Sequence, residues 1–165
     1  MGEVVTASLM NTEVRDAIYF MTHQPFAEVR HNANQSITNN VDTALNFATE
    51  LWDTDGMHDT VTNNTRITSN TSGIYLVCAF GAFAGNATGK RDIFLKRSDG
   101  VVYGRDGMMP NSTANAYLST FAFVPLPAGF YVEGCVYQNS GGALNIDNSL
   151  GGGQYMMAMW MRKHE

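Results

Sequence analysis

Charged side chains are scarce in this chain of 165 residues, where Asp, Glu, Lys and Arg together make up 15% of the sequence. The formal net charge is −5, and the Lys and Arg residues form no cluster. Nucleic-acid binding requires a surface that neutralises phosphates, so the composition argues against that function and against binding to anionic membranes. Asn, Thr, Ser and Gly supply most of the polar surface, which favours strands and turns over helices.

Long apolar runs and a secretion signal are also missing. No segment approaches the ~20 apolar residues that a membrane-spanning helix needs, and none has the order of a secretory signal. We therefore expect a soluble protein that is made in a cytoplasm and does not insert in a membrane. The two cysteines, Cys78 and Cys135, lie in apolar runs where a buried, reduced thiol is the common outcome. A disulfide between them is the alternative.

One segment, "TASLMNTEVRDAIYFM", has the period of a helix. Four apolar residues recur in it at steps of four, three and four, namely Met10, Val14, Ala17 and Met21. These four residues, which we call the helical stripe, would share one helix face. Thr6 is suited to begin the helix and Pro25 to end it. We predict an N-terminal helical attachment segment over residues 1–25, whose stripe packs on its own domain or joins copies of the chain.

Residues 26–165 consist of short apolar segments separated by Gly, Asn, Asp and Pro. The candidate strands are 26–31, 42–49, 65–69, 73–84, 91–97, 101–104, 115–124, 129–138, 143–147 and 154–162. Such a series predicts one all-β domain, an antiparallel sandwich or jelly roll. Pro125 and Pro127 interrupt a long apolar run, and Pro cannot donate to a strand ladder. We interpret the two halves of that run as antiparallel strands joined by a Pro/Gly turn.

The segment "YMMAMWM" near the C-terminus is apolar at every position. In a strand its residues face two sides alternately, and both sides are apolar here, so both need cover. Burying each such side chain is worth roughly 1.5–3 kcal/mol. We predict that the domain core covers one side and another subunit the other, in a closed oligomer. The predicted core or interface residues are Tyr155, Met156, Met157, Met159, Trp160 and Met161. A Cu(I) site is the alternative, but His164 is the one further ligand close in sequence, and we expect no cofactor.

The segment "WDTDGMHDTVTNN" holds the most suggestive polar residues. Asp53, Asp55 and Asp59 are weak candidates for calcium ligands, but Gly56 stands too early for an EF-hand loop. A polar surface turn is therefore the first interpretation. His58 beside Asp59 has no serine or cysteine in a nucleophile-elbow context, and we expect no catalytic residues and no enzyme.

Several tyrosines on predicted strands are candidates for a glycan- or protein-binding surface. They are Tyr103, Tyr117, Tyr131 and Tyr137. Tyrosines on strands are usually half-buried with a wet hydroxyl, so packing is the first interpretation of each.

The order of residues across 47–77 resembles the C1q/TNF-like jelly-roll signature. Phe47 and Asp53 stand six apart, and Gly73 and Tyr75 begin a "GIYLV" segment. Three positions depart from the pattern, namely His58, Ile67 and Val77. The C-terminal "SLGGGQYMMAMW" is also similar to the last strand of that family. The resemblance implies a homotrimer with this strand near the threefold axis.

The N-terminal "GEVVTASLMNTEVRDAIYFM" is similar to the beginnings of bacteriophage minor tail and tail-fibre-associated proteins. This resemblance implies a trimeric virion protein that is made in the host cytoplasm, attaches to other virion proteins through its helix and displays a jelly roll for recognition of a host-surface glycan or protein. One alternative is a capsid decoration protein that stabilises the shell. The other is a carbohydrate-active enzyme of the tail-spike kind, which requires paired acidic residues in a groove.

Overall fold

The computed structural model describes residues 6–148 and 153–164, except for the side chain of Glu13. The first five residues of the predicted attachment segment and residues 149–152 of the Gly-rich stretch lie outside the described residues.

A helix occupies residues 7–22 and has three parts, namely α1 (Ala7–Leu9), a π segment (Met10–Arg15) and α2 (Asp16–Thr22). Thr6 caps its start, because the backbone N–H of Leu9 donates to the Thr6 hydroxyl at 3.2 Å. The helix ends three residues before Pro25. The π segment was not predicted, and its wider winding departs from the α-helical period assumed for the stripe. In the described part of the chain, no helix has the length and apolar character needed to cross a bilayer.

Twelve strands follow in the part of the chain that the structure describes. They are β1 (Phe26–Arg30), β2 (Gln35–Ile37), β3 (Thr43–Ala44), β4 (Thr49–Asp53), β5 (Arg66–Thr68), β6 (Gly73–Phe83), β7 (Arg91–Arg97), β8 (Val102–Met108), β9 (Ala116–Leu126), β10 (Tyr131–Gln138), β11 (Leu144–Ile146) and β12 (Tyr155–Arg162).

The predicted strand at 42–49 is wrong, because the chain forms β3 there, leaves that strand, and begins β4 at Thr49. β2 was not predicted, and β8 extends four residues beyond its predicted end at 104. These elements are short or carry polar, exposed side chains, so the period of two that marks a half-buried strand is absent from them.

The strands form two antiparallel sheets. In the first sheet, β9 pairs with β6, and the order continues through β12 and β1 to β4, while β11 and β2 extend it at the far end of β6. In the second sheet, β10 pairs with β7 and β7 with β8, and the short β3 and β5 lie along β10. The predicted all-β jelly-roll sandwich with a short N-terminal helix is confirmed.

The two halves of the run around Pro125 and Pro127 are strands joined by a Pro/Gly turn, as predicted, but they do not pair with each other. β9 pairs with β6 in the first sheet, whereas β10 pairs with β7 in the second. The Pro/Gly segment at 127–130 therefore carries the chain from one sheet to the other. Pro125 lies opposite Ile74 and is tolerated because β9 is an edge strand.

The core lies between the sheets and is built from the inward side chains of their strands. Its fully buried members include Val29, Phe47, Ile67, Tyr75, Val77, Ile93, Leu95, Val132, Val136 and Met156. Alternate residues of β6 belong to this core, which fixes the opposite set on the outer face.

The two sheets meet at one margin, where β8 approaches β9. Gly104 has a φ of +56°, and a Cβ atom at this position would collide with the backbone of Phe121. The hydroxyl of Thr120 donates a hydrogen bond to the carbonyl of Gly104. A glycine is required there because it combines the left-handed conformation with a close backbone approach.

Candidate functional site

β12 lies in the middle of the first sheet, and its two sides have different surroundings. The inward residues Met156, Ala158 and Trp160 are buried, with exposed fractions of 0%, 0% and 9%. The outward residues Tyr155, Met157 and Met159 are half-buried, and Met161 is 43% exposed. The core therefore covers one side of the strand, and the other forms part of the outer surface of the sheet.

This outer surface is apolar across three neighbouring strands. We call the following set the apolar face: Ile74, Leu76, Cys78 and Phe80 of β6, Tyr117, Phe121 and Phe123 of β9, and Tyr155, Met157, Met159 and Met161 of β12. The strand register aligns these side chains in rows. One row runs Phe123, Leu76, Met159 and Phe26, and the next runs Phe121, Cys78, Met157 and Glu28. A contiguous apolar patch of this kind usually marks an interaction site.

β9 contributes the most exposed part of the apolar face. Tyr117 is 54% exposed, Phe121 71% and Phe123 60%. The sequence reasoning missed the two phenylalanines. The signal was present, because "AYLSTFAFV" carries apolar residues at both odd and even positions, as the last strand does.

One end of the apolar face carries stacked aromatic rings. The rings of Phe80 and Tyr155 stack with centroids 5.4 Å apart, and Tyr117 lies 6.5 Å from Phe80. The guanidinium of Arg30 lies 5.8 Å from the Tyr155 centroid and pairs with Glu28 at 3.0 Å. The charges at this margin therefore neutralise each other.

The outer surface of the second sheet has the opposite character. Lys90 and Arg105 both pair with the nearly buried carboxylate of Asp92, at 2.8 and 2.9 Å. Arg105 also covers the ring of Phe94, with 4.4 Å between the guanidinium carbon and the ring centroid. Salt bridges and cation–π contacts cover the aromatic groups on this side. The two outer surfaces therefore differ sharply in polarity.

Three of the four candidate recognition tyrosines are also covered by cations. Tyr103 lies under Arg97 at 5.6 Å, Tyr131 under Arg66 at 4.4 Å and Tyr137 under Lys90 at 5.1 Å. Tyr117 instead belongs to the exposed part of the apolar face.

The two cysteines are free thiols on opposite surfaces of the sandwich. Cys78 is half-buried on the apolar face, whereas Cys135 is buried and lies opposite Phe94 in the second sheet. They therefore do not pair within the chain. Burial raises the pKa of the Cys78 thiol, and it raises that of Cys135 to about 12 with a smaller contribution from Glu133.

The three carboxylates considered for calcium are each engaged in a local turn. Asp53 accepts hydrogen bonds from the backbone N–H groups of Asp55, Met57 and His58 at 2.9–3.2 Å. Asp59 accepts from two backbone N–H groups at 2.8 Å each, which hold the pKa of its carboxyl below the usual range. In the described ranges, no group of three or more His, Cys, Asp or Glu residues converges as a metal site would require.

Asp55 and His58 likewise serve the local structure. The hydroxyl of Thr71 donates to the Asp55 carboxylate at 3.1 Å. The two ring nitrogens of His58 lie 2.9 and 3.0 Å from the carbonyls of Arg66 and Phe47. Because both nitrogens face backbone oxygens, neither is directed at a reacting group, and no observation here favours the enzyme alternative.

The helical stripe lies on the surface. Met10 is 48% exposed, Val14 42% and Met21 71%, and Ala17 is exposed as well. Phe20, outside the stripe, holds the helix to the domain, since its ring packs edge-on against Trp160 with centroids 4.8 Å apart. The structure brings the last strand and its neighbours into one surface. The stripe lies outside that surface, and Ala17 and Met21 line a groove beside Thr71, Ser72 and Trp160.

Comparison with solved structures places this geometry among known folds. The globular domain of zebrafish complement 1qA matches 86% of this chain and 100% of its own, with a TM-score of 0.61 and 14% identity. Murine APRIL at pH 5.0 matches 83% of this chain and 98% of its own, with a TM-score of 0.63 and 11% identity.

A further match is Eiger TNF from S. frugiperda, which matches 86% of this chain and 96% of its own, with a TM-score of 0.56 and 16% identity. No protein-family model matches the sequence, and no curated protein matches it. Identities this low support the fold alone. The chain has the C1q/TNF-like jelly-roll fold.

Proposed function

We propose that this protein is a homotrimeric structural protein of a bacteriophage virion, made in the host cytoplasm and incorporated at the tail. It would attach to other virion proteins through its helix and display the jelly roll for recognition of a host-surface glycan or protein. The phage assignment is supported by the similarity of the N-terminal segment to phage tail-protein beginnings. The self-association is supported by the apolar face, which is the single observation that carries the proposal.

The apolar face is costly to leave in water. Full burial of each large apolar side chain is worth roughly 1.5–3 kcal/mol, against a net domain stability of only ~5–15 kcal/mol. Phe121 and Phe123 alone are 71% and 60% exposed in the single chain. Contact between copies would remove this surface from water without exposing another.

A closed ring suits the shape of this surface. The apolar face runs from the edge strand β9 to β12, and exposed Trp52 lies on the opposite edge strand β4. A ring of identical copies joins two different parts of the same surface at each contact. We assign this role to the first sheet, since the salt-bridged second sheet is already covered by its own charged groups.

The two ends of the sandwich are suited to different partners. The helix enters at one end, and the loops after β1, β6, β8 and β10 lie at the other. Asparagine side chains fix these distal loops to one another and to the residues that follow β11. The Asn34 amide oxygen accepts from the backbone of Asn148 at 2.8 Å, and that of Asn139 accepts from the backbone of Lys90 at 2.6 Å. Loops that are fixed in this way offer a preorganised surface for recognition.

Light scattering of the purified protein tests the trimer. We expect three times the 18.1 kDa of the single chain. Met157→Glu should reduce the mass to that of one chain, because it places a charge within the apolar face. Lys96→Glu is the control, because it changes the charge of an exposed residue on the second sheet. It should leave the mass unchanged. A single-chain mass for the parent protein at micromolar concentration would refute the proposed trimer.

Electron microscopy of virions that carry a gold-labelled copy tests the location. Label at the tail is the expected result. Label spread over the head would replace the tail assignment with the capsid decoration alternative.

A further inference from the structure

We propose that the N-terminal helices of the copies pack against one another through the helical stripe, so that a helical bundle extends from the base of the oligomer. This inference rests on the proposed trimer, and it specifies a second contact between the copies. The occupant of the exposed stripe is thus the same stripe of a second copy, and attachment to other virion proteins would use the remaining surface of the bundled helices.

The domain covers little of its own helix. No residue of α1 or α2 is buried, and Phe20 makes the ring contact with Trp160 that fixes the last turn. Beside this contact lies an apolar groove of about 440 Å³, which separates Ala17 and Met21 from Thr71 and Ser72. The helix therefore projects from the sandwich, and its own domain does not bury the stripe.

A projecting helix of this length needs a partner. The π segment over Met10–Arg15 leaves α-helical parts of only three and seven residues, and isolated helices shorter than ~12–15 residues are marginal in water. Most helical stability in proteins comes from packing an apolar face against another element. The exposed apolar side chains of the helix supply such a surface, because Met10, Val14, Ile18 and Met21 are 42–71% exposed.

The position of the helix favours a second copy as that partner. The helix ends at Thr22, and β1 begins at Phe26, whose side chain stands in one row with Met159 and Leu76. The base of the helix therefore lies beside the apolar face. When the apolar faces of several copies meet, their helices begin side by side.

The stripe carries no charge that would repel the same stripe of another copy. The four stripe residues are uncharged, and Arg15 pairs with its neighbour Asp16 at 2.7 Å. Exposed apolar side chains on a helix are the surface through which identical helices associate.

Cysteine cross-linking in the full-length protein tests the bundle. Val14→Cys places a thiol on the stripe, and Thr12→Cys places one two residues away, at an exposed position outside the stripe. Both variants retain the native cysteines, so a difference in their cross-linking rates reflects the position of the added thiol. Under mild oxidation, Val14→Cys should form covalent dimers roughly tenfold or more faster than Thr12→Cys, because packed helices hold their thiols at high effective concentration. Ala17→Cys is a second stripe position, for use if Val14→Cys weakens folding.

The outcomes separate this inference from the proposed trimer. Fast linking at the stripe in a protein of trimeric mass supports the bundle. Equally slow linking at all three positions in a protein of trimeric mass overturns the bundle, leaves the trimer standing and indicates that another virion protein covers the stripe. A single-chain mass overturns both.

Discussion

Replacement of Phe121 by alanine should weaken the oligomer strongly while leaving the single chain folded. Phe121 lies on the edge strand β9 and is 71% exposed in the single chain. An aromatic side chain buries about 150–250 Å², so covering the exposed part removes roughly 100–180 Å² from water. At ~25 cal/mol per Å² this is worth about 3 kcal/mol per copy, of which alanine would lose about 2 kcal/mol.

The loss is repeated in every copy, which makes it easy to measure. The free energy of trimer assembly would fall by about 6 kcal/mol in all. The concentration at which half of the trimer dissociates varies as the square root of its dissociation constant, so it should rise roughly a hundredfold. Mass measurement across a dilution series gives this midpoint directly.

Met109→Ala is the matched control for Phe121→Ala. Met109 is a large apolar residue with 77% exposure, but it lies in the loop after β8 and outside the apolar face. Its replacement should not move the midpoint. At dilutions where all the proteins are single chains, both variants should unfold within about 0.5 kcal/mol of the parent. An unchanged midpoint for Phe121→Ala, or an equal shift for the control, would refute the reasoning.

Three further predictions follow from the thiols and the acidic turn. Because burial raises the pKa values of Cys78 and Cys135, alkylation of both thiols should be slow at neutral pH. Dilution to single chains should accelerate the alkylation of Cys78 but not that of Cys135, as measured by peptide mass spectrometry. Asp53→Ala removes the acceptor of three backbone hydrogen bonds and should lower the free energy of unfolding in urea by about 1–3 kcal/mol. The backbone N–H groups of Thr62 and Val61 lower the pKa of Asp59 in the folded chain. The stabilisation by its carboxylate is therefore fully present above the ordinary carboxyl pKa, and it is lost as pH falls through the lowered pKa. Asp59→Ala should therefore be destabilising in urea at neutral pH but neutral in strong acid.

Local chemistry was sufficient to predict the helix start and most of the long strands. Thr6 has a hydroxyl that accepts from the first turn, and β6 alternates between buried and half-buried residues. Both signals act over a few residues, so the sequence contains them in full.

The sheet to which each strand belongs depended on distant partners. The run around Pro125 has the pattern of two strands and a turn, yet β9 pairs with residues of β6 that lie 33–53 positions earlier, and β10 joins the other sheet. Pairing across such distances is set by the packing of the whole core, which a local pattern does not report.

The candidate site was predicted in part for the same reason. The two apolar sides of β12 indicated a covered outer surface, and the structure places Met157 and Met159 on that side. Their neighbours Cys78, Phe121 and Phe123 come from two other strands, and only the register shows that these residues adjoin.

The approach of β8 to β9 at Gly104 also limits how the copies can join. Exposed backbone along an edge strand is the usual template on which another chain adds a strand, and repetition of that step leads to open-ended fibrils. Here β8 of the same molecule lies close to that flank of β9 at Gly104, held by the bond from Thr120. This close approach hinders growth by sheet extension on this side, and assembly through side chains can stop at a fixed number of subunits.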